Sequence, residues 1–358
     1  MKSLRKGFGI GLIVGTAFLA SPFAVNAQSE EPTFVDGKLQ PLADGFPSGP
    51  LTIMVIEEPG APDSVYATHL VKAAEKISPV SIKIEHRTDF SNFPTWEALA
   101  WINQQGPEFN DGRVAYVSSW PGNIADVIVD DVKSATGVDL DDLNPIIASD
   151  TMPYFLYQRA DAPWGDKLED FLKHAKANPG TVRYISGGPG GGSDAAMKWY
   201  MGALGFTVDE IIGGNSVERS LAVASGDGDV TVSASDIILP HFEGGKVDVL
   251  LMSGTKPAPK PWEHVPNTAS IGLTTDPGWG STRGIATTKQ VPEAHRAWVE
   301  ALFLKALEDP DYVGERTKIP GLMIEGLGHE AAQARMQSIH DAALPLMKAA
   351  GVYWKDKK

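Results

Sequence analysis

The sequence predicts an α/β fold in which helices are layered on largely parallel sheets. Three observations carry this expectation. Short apolar runs alternate with stretches of helical periodicity along most of the chain. Pro and Gly clusters punctuate the joins between them. No short-period repeat or low-complexity tract interrupts the alternation. At about 150 residues per domain, 358 residues suggest two domains.

Residues 1–27 stand apart from the fold. Lys2, Arg5 and Lys6 precede an apolar stretch over 8–20, and Val25-Asn26-Ala27 sets small residues before Gln28. This is the order of an export signal. The apolar stretch is shorter than the roughly 20 residues of a membrane span, so cleavage near Ala27 is expected rather than anchoring. Residues 28–46 are polar and rich in Pro and Gly, which predicts a flexible leader.

From there the elements follow in order. Residues 51–56 are continuously apolar, as in a strand buried on both faces. Ala67, Leu70, Val71, Ala74 and Ile77 recur at helical spacing, and Pro79 ends that helix. Val80, Ile82 and Ile84 alternate with polar residues, predicting a half-buried strand. A helix is expected over 96–104 and strands over 113–118 and 153–158. Residues 167–177 read as a helix closed by Asn178-Pro179-Gly180, and 181–186 as a strand. Ala196, Trp199, Tyr200, Ala203 and Leu204 mark a helix stopped by Gly205. Strands at 229–234 and 247–252 and helices at 292–307 and 330–349 complete the pattern.

Composition removes several classes of function. There is no Cys, so thiolate metal sites, Fe–S clusters, catalytic cysteines, disulfides and a lipidated N-terminal cysteine are all excluded. The formal net charge is −14, and −17 once the three basic residues of the signal are removed, which argues against nucleic-acid binding. The eight histidines show no metal-ligand spacing, and there is no Gly-x-Ser-x-Gly elbow. Neighbouring Glu57 and Glu58 would face opposite sides of a strand and make a poor acid/base pair. An enzyme is not expected, nor is a metal or an obligate cofactor.

Ligands of open α/β sheets bind beyond the carboxyl ends of the strands, so candidate contacts lie in four strand-end turns. The first runs from Glu57 through Pro59, Gly60 and Ala61 to Asp63 and Ser64, ahead of a helix whose free amides suit a carboxylate. The second is glycine-rich, from Ser186 and Gly187 to Gly192 and Ser193. It lacks the Gly-Lys-Ser/Thr ending of a P-loop. The third holds Ser119 and Trp120, and the fourth Ser235 and Asp236. Each of the four can equally be a capped turn or connector.

The order and spacing of several motifs resemble the periplasmic solute-binding proteins of tripartite tricarboxylate transporters, the TctC or Bug family. These are Phe46-Pro47-Ser48-Gly49-Pro50 leading into Pro59-Gly60-Ala61-Pro62-Asp63, then Asp111-Gly112-Arg113 and Leu143-Asn144-Pro145. Ala175-Lys176-Ala177-Asn178-Pro179-Gly180 with Ser186-Gly187-Gly188, then Gly244-Gly245-Lys246-Val247 and His264-Val265-Pro266-Asn267, continue it. The resemblance implies a two-lobed, type II-like periplasmic-binding-protein fold, each lobe a mostly parallel sheet flanked by helices, joined by a hinge. One lobe would comprise 47–150 and 254–358, the other 151–253. It implies a monomeric carrier that closes on a small organic solute, usually a carboxylate, and passes it to an inner-membrane permease. Here Ala61 replaces a family glycine, Asp63-Ser64 reverses the usual order, Glu57-Glu58 adds acid to the first turn, and the family's glycine-rich loop after the second strand is absent. These departures favour a neutral or amino-bearing ligand. The alternatives are a ligand-sensing component of a two-component signalling system and, third, a hydrolase.

Overall fold

The computed structural model describes residues 31–357 apart from 91, 189, 190, 277 and 350. The export signal therefore lies outside the described residues. A short hairpin, β1 (Phe34–Val35) and β2 (Lys38–Leu39), opens the described chain. Then follow β3 (Leu51–Val55), α1 (Pro62–Glu75), β4 (Ile82–His86), α2 (Pro94–Asn103) and β5 (Val114–Trp120). Next come α3 (Gly122–Val129), α4 (Val132–Thr136) and the long strand β6 (Asn144–Arg159). The chain continues through α5 (Leu168–Ala177), β7 (Arg183–Ser186), α6 (Gly192–Leu204) and β8 (Asp209–Ile212). After these stand α7 (Ser216–Ser225), β9 (Val230–Ala234), α8 (Ser235–Glu243) and β10 (Val247–Met252). It ends with β11 (Gly280–Thr287), α9 (Glu293–Ala306), α10 (Pro310–Arg316), β12 (Met323–Gly328) and α11 (His329–Ala349).

Local chemistry explains the boundaries. Pro62 starts α1, where its missing N–H costs nothing and its fixed φ suits a helix. Gly205, at φ 69°, closes α6 in the left-handed conformation. Asn215 and Glu218 form a reciprocal capping box at the start of α7.

The strands form two sheets that share β6. The first runs β4-β3-β5-β11-β6, with β12 on the far edge of β6. The second runs β8-β7-β9-β6, with β10 on the other edge of β6. The α/β two-lobed architecture is as expected, but the sheets are mixed rather than mostly parallel. Pairing is parallel among β3, β4 and β5 and among β7, β8 and β9. It is antiparallel wherever β6 or β11 takes part. β11 runs against both of its neighbours in the first sheet, and β6, which passes on into the second sheet, runs against β9 and β10 there.

Other differences are local. The strand expected from residue 80 starts at Ile82, because the Ser78 hydroxyl bonds both the N–H and C=O of Val80 in a turn. The strand expected over 153–158 is the second half of β6. Residues 39–46, expected within a flexible leader, pack firmly. Leu39, Leu42 and Phe46 are buried, Phe46 stacks on His295 at 4.0 Å, and the Trp298 indole donates to the Gln40 carbonyl at 2.7 Å. The periodicity reading did not foresee α3, α7, α8, β11 or β12.

Apolar side chains of β3, α1 and α9 build one core, including Leu51, Ile53, Leu70, Trp298 and Phe303. A second, around Trp96, Trp120, Trp199, Tyr200 and Trp279, draws on both sheets. A third surrounds Trp262 with Phe155, Ile238 and Val247. Into this framework β6 brings a charge. Asp150 is 0% exposed and accepts from Arg316 Nε at 2.8 Å and from the Tyr312 hydroxyl at 3.3 Å.

Removing one member of a buried pair leaves the other charge uncompensated. Arg316→Met should therefore lower the unfolding free energy by about 3–5 kcal/mol in denaturant titration. Adding Asp150→Leu should recover most of that loss.

Candidate binding cleft

Strand-end turns of both sheets and the strands β6 and β11 converge on a cleft of about 150 Å³. The turn after β3 brings Glu57 to its rim. Glu57 Oε2 accepts from the Asp63 N–H at 2.9 Å, so the side chain caps the first turn of α1 from outside. The His86 Nδ1 hydrogen bond to the Glu57 carbonyl, at 2.9 Å, holds the backbone of the turn. Asp63 then bridges two elements. One oxygen accepts from the Ser119 hydroxyl at 2.8 Å, and the other from Arg283 Nε at 2.8 Å.

Arg283 comes from β11, between β5 and β6, and its side chain is only 4% exposed. Its Nη2 reaches Asp236 Oδ2 at 3.3 Å, in the first turn of α8. Burial works to lower the Arg283 pKa, but the charges of Asp236, Asp63 and Asp150 overcome it and raise it. The guanidinium thus stays charged between one carboxylate from the helix after β3 and another from the helix after β9. Burial, and then the charge of Asp63, push the Glu57 carboxyl up to about 7. Burial likewise takes the Tyr154 phenol to about 12, so it remains a proton donor at the cleft wall.

The other wall is cationic. Arg219 of α7 is 7% exposed and donates to the Gly214 carbonyl at 2.9 Å and the Ser193 hydroxyl at 3.0 Å. Its Nε has no partner, and no carboxylate pairs with it among the described residues. Gly187 makes room for it, since a Cβ there would stand 2.5 Å from Arg219 Nη1. Gly192 serves Tyr154 in the same way. A Cβ at this position would meet the Tyr154 hydroxyl at 3.0 Å and the Gly122 nitrogen at 2.9 Å.

Of the candidates, Glu57, Asp63, Ser119, Ser193 and Asp236 border the cleft. Pro59, Gly60 and Ala61 lie in the turn beside it, and the Ser64 hydroxyl is occupied by the Gly60 N–H at 3.2 Å. Trp120 is a core residue, 1% exposed, with its indole donating to the Ser118 hydroxyl. Ser186 is fully buried and donates to Asp194, while Ser235, the first residue of α8, is fully buried. Residues 189 and 190 of the glycine-rich turn lie outside the described residues. Sequence reasoning missed Arg219, Arg283, Tyr154 and Ser216, all of which line the cleft, while Ser233, in the fourth of its turns, lines it too. The Asn215…Glu218 cap signature was the one readable pointer to α7. Among the described residues no cluster of His, Asp and Glu could hold a metal ion, and no helix is long and apolar enough to cross a membrane.

Two sheets joined by a shared strand, with a polar cleft at the strand ends between them, define a solute-binding protein of the periplasmic-binding-protein fold. The match of residues 111–338 to the model of the tripartite tricarboxylate transporter family receptor, TctC, covers more than half the chain. The chain belongs to that family, whose members are binding receptors and not enzymes. No curated protein matches it. Among solved structures it is similar to the periplasmic binding protein BugD, at 17% identity and TM-score 0.73, over 86% of this chain and 99% of that one. It is similar to Rpa4515 of R. palustris with adipate, at 17% identity and TM-score 0.73, over 86% and 98%. It also resembles MatC of Rhodopseudomonas palustris with bound malate, at 19% identity and TM-score 0.69, over 84% and 99%.

Glu57 links this cleft to pH. Its ordinary value is 4.5 and its folded value about 7, so the folded state holds the proton more tightly. Its contribution to stability is full below about 4.5 and is lost as pH rises to about 7. Glu57→Gln should flatten the fall in melting temperature between pH 5 and pH 7.5, measured by thermal denaturation without ligand.

Proposed function

We propose that this protein captures a small carboxylate-bearing solute in the cleft, in the periplasm, and delivers it as a monomer to a membrane permease of the tripartite tricarboxylate type. Export through residues 1–27, with cleavage near Ala27, fits this role. So does a division into one lobe of 47–150 and 254–358 and another of 151–253, with β6 passing between them. Opening of the lobes would part Glu57, Asp63 and Ser119 from Ser193 and Asp236 and admit the solute, and closure would restore the arrangement described.

The observation that carries the reading is Arg219. A buried guanidinium with only neutral partners is costly unless an anion completes it. Ser193 and Ser216 stand beside it on the same wall and can donate to a carboxylate. Solved structures of the same fold that hold adipate and malate support a carboxylate cargo.

A thermal-shift screen of small carboxylates tests this, since ligand at 100 times its Kd adds about 2.7 kcal/mol. Arg219→Gln should weaken the best carboxylate by roughly 10- to 100-fold in calorimetry, the range for a hydrogen-bonded charge. Undiminished binding in that variant, or a screen without any hit, would refute the role given to this cleft.

A further inference from the structure

We propose that the cleft accepts a small zwitterion, its carboxylate at Arg219 and its protonated amine against Asp236 and Glu57, and rejects dicarboxylates. This rests on the solute-capture reading and adds the chemistry of the second end of the ligand.

The argument is a charge count across the cleft. Arg283 carries one positive charge and is held by two carboxylates, Asp63 and Asp236. That group has one negative charge in surplus before Glu57 is considered. The surplus is localised. Asp63 spends both oxygens, one on Arg283 and one on Ser119. Asp236 spends only Oδ2, and its Oδ1 is buried without a partner. Ser233, 2% exposed, lines the same cleft. Glu57 lies close enough to Asp63, Arg283 and Asp236 for their charges to act on its carboxyl.

The cleft therefore offers an unmatched cation, Arg219, at one end and an unmatched acceptor, Asp236 Oδ1, at the other. A buried acceptor without a donor is a standing cost that an N–H of the ligand removes. A dicarboxylate would satisfy Arg219 but set its second charge against Asp236, where like charges in a poorly solvated site repel strongly. A zwitterion adds no net charge. A cleft of about 150 Å³ also favours a ligand of few heavy atoms, since a cavity of that order holds a benzene-sized molecule.

The test is calorimetry on the full mature chain at pH 7 with four probes: alanine, 3-aminopropionate, propionate and succinate. One of the two aminocarboxylates should bind at least 10-fold tighter than both propionate and succinate. Asp236→Asn should lower the affinity for that aminocarboxylate at least 10-fold. If succinate or propionate matches the aminocarboxylates in the unaltered protein, the zwitterion proposal is overturned while carboxylate capture stands. If none of the four binds, both fall. The comparison in the unaltered protein stands whether or not the variant folds.

Discussion

A single buried cation organises the cleft. Arg283 cannot sit almost fully out of water unless carboxylates surround it. Asp63 reaches it from the helix that follows β3, and Asp236 from the helix that follows β9. Each carboxylate belongs to a different sheet, so the charge that must be neutralised also ties the two halves of the molecule together. Other features follow from this constraint. Ser119 faces Asp63 because that carboxylate must be fixed to serve Arg283. The Asp63 amide is in turn held by Glu57, which places a third carboxyl nearby and makes its proton hard to remove.

The framework that permits this is β6. Its first half pairs with β11 and β12, its second with β9 and β10, so it is hydrogen-bonded on both edges along most of its length. A strand shared by two sheets positions their ends against each other without a separate linker. Asp150, close to the point where β6 leaves the first sheet, faces Arg283 in register and anchors α10 through Arg316.

Much of this was legible in the sequence, and the rest was hidden for definite reasons. The rule that ligands meet strand ends found Glu57, Asp63, Ser119, Ser193 and Asp236, because each directly follows an apolar run or a glycine-rich turn. The same rule overreached at Trp120. Residues alternate along a strand, so Ser118 and Trp120 turn inward where Ser119 turns to the cleft. The two arginines escaped notice for opposite reasons. Arg283 lies in Gly280-Ser281-Thr282-Arg283-Gly284, which shows no apolar alternation because this central strand is polar over its first half and the backbone of β6 leaves no room for a Cβ at Gly280 or Gly284. A Cβ at Gly284 would stand 2.1 Å from the Ile147 carbonyl oxygen. Arg219 sits beside Glu218 in a helix of mixed character and looks like a solvated charge. Only the tertiary approach of Gly187 and Ser193 makes it a buried one.

The position of β11 also has a meaning in time. It lies between β5 and β6, with Ile285 opposite both Val117 and Ile147. Both flanking strands leave the ribosome long before it does. The first sheet cannot close in the order in which it is made, and a gap must wait for a segment from the last quarter of the chain. Contacts so distant in sequence are slow to form. The same late segment delivers Arg283, so the strand that fills the gap between β5 and β6 also brings the charge around which the cleft is assembled.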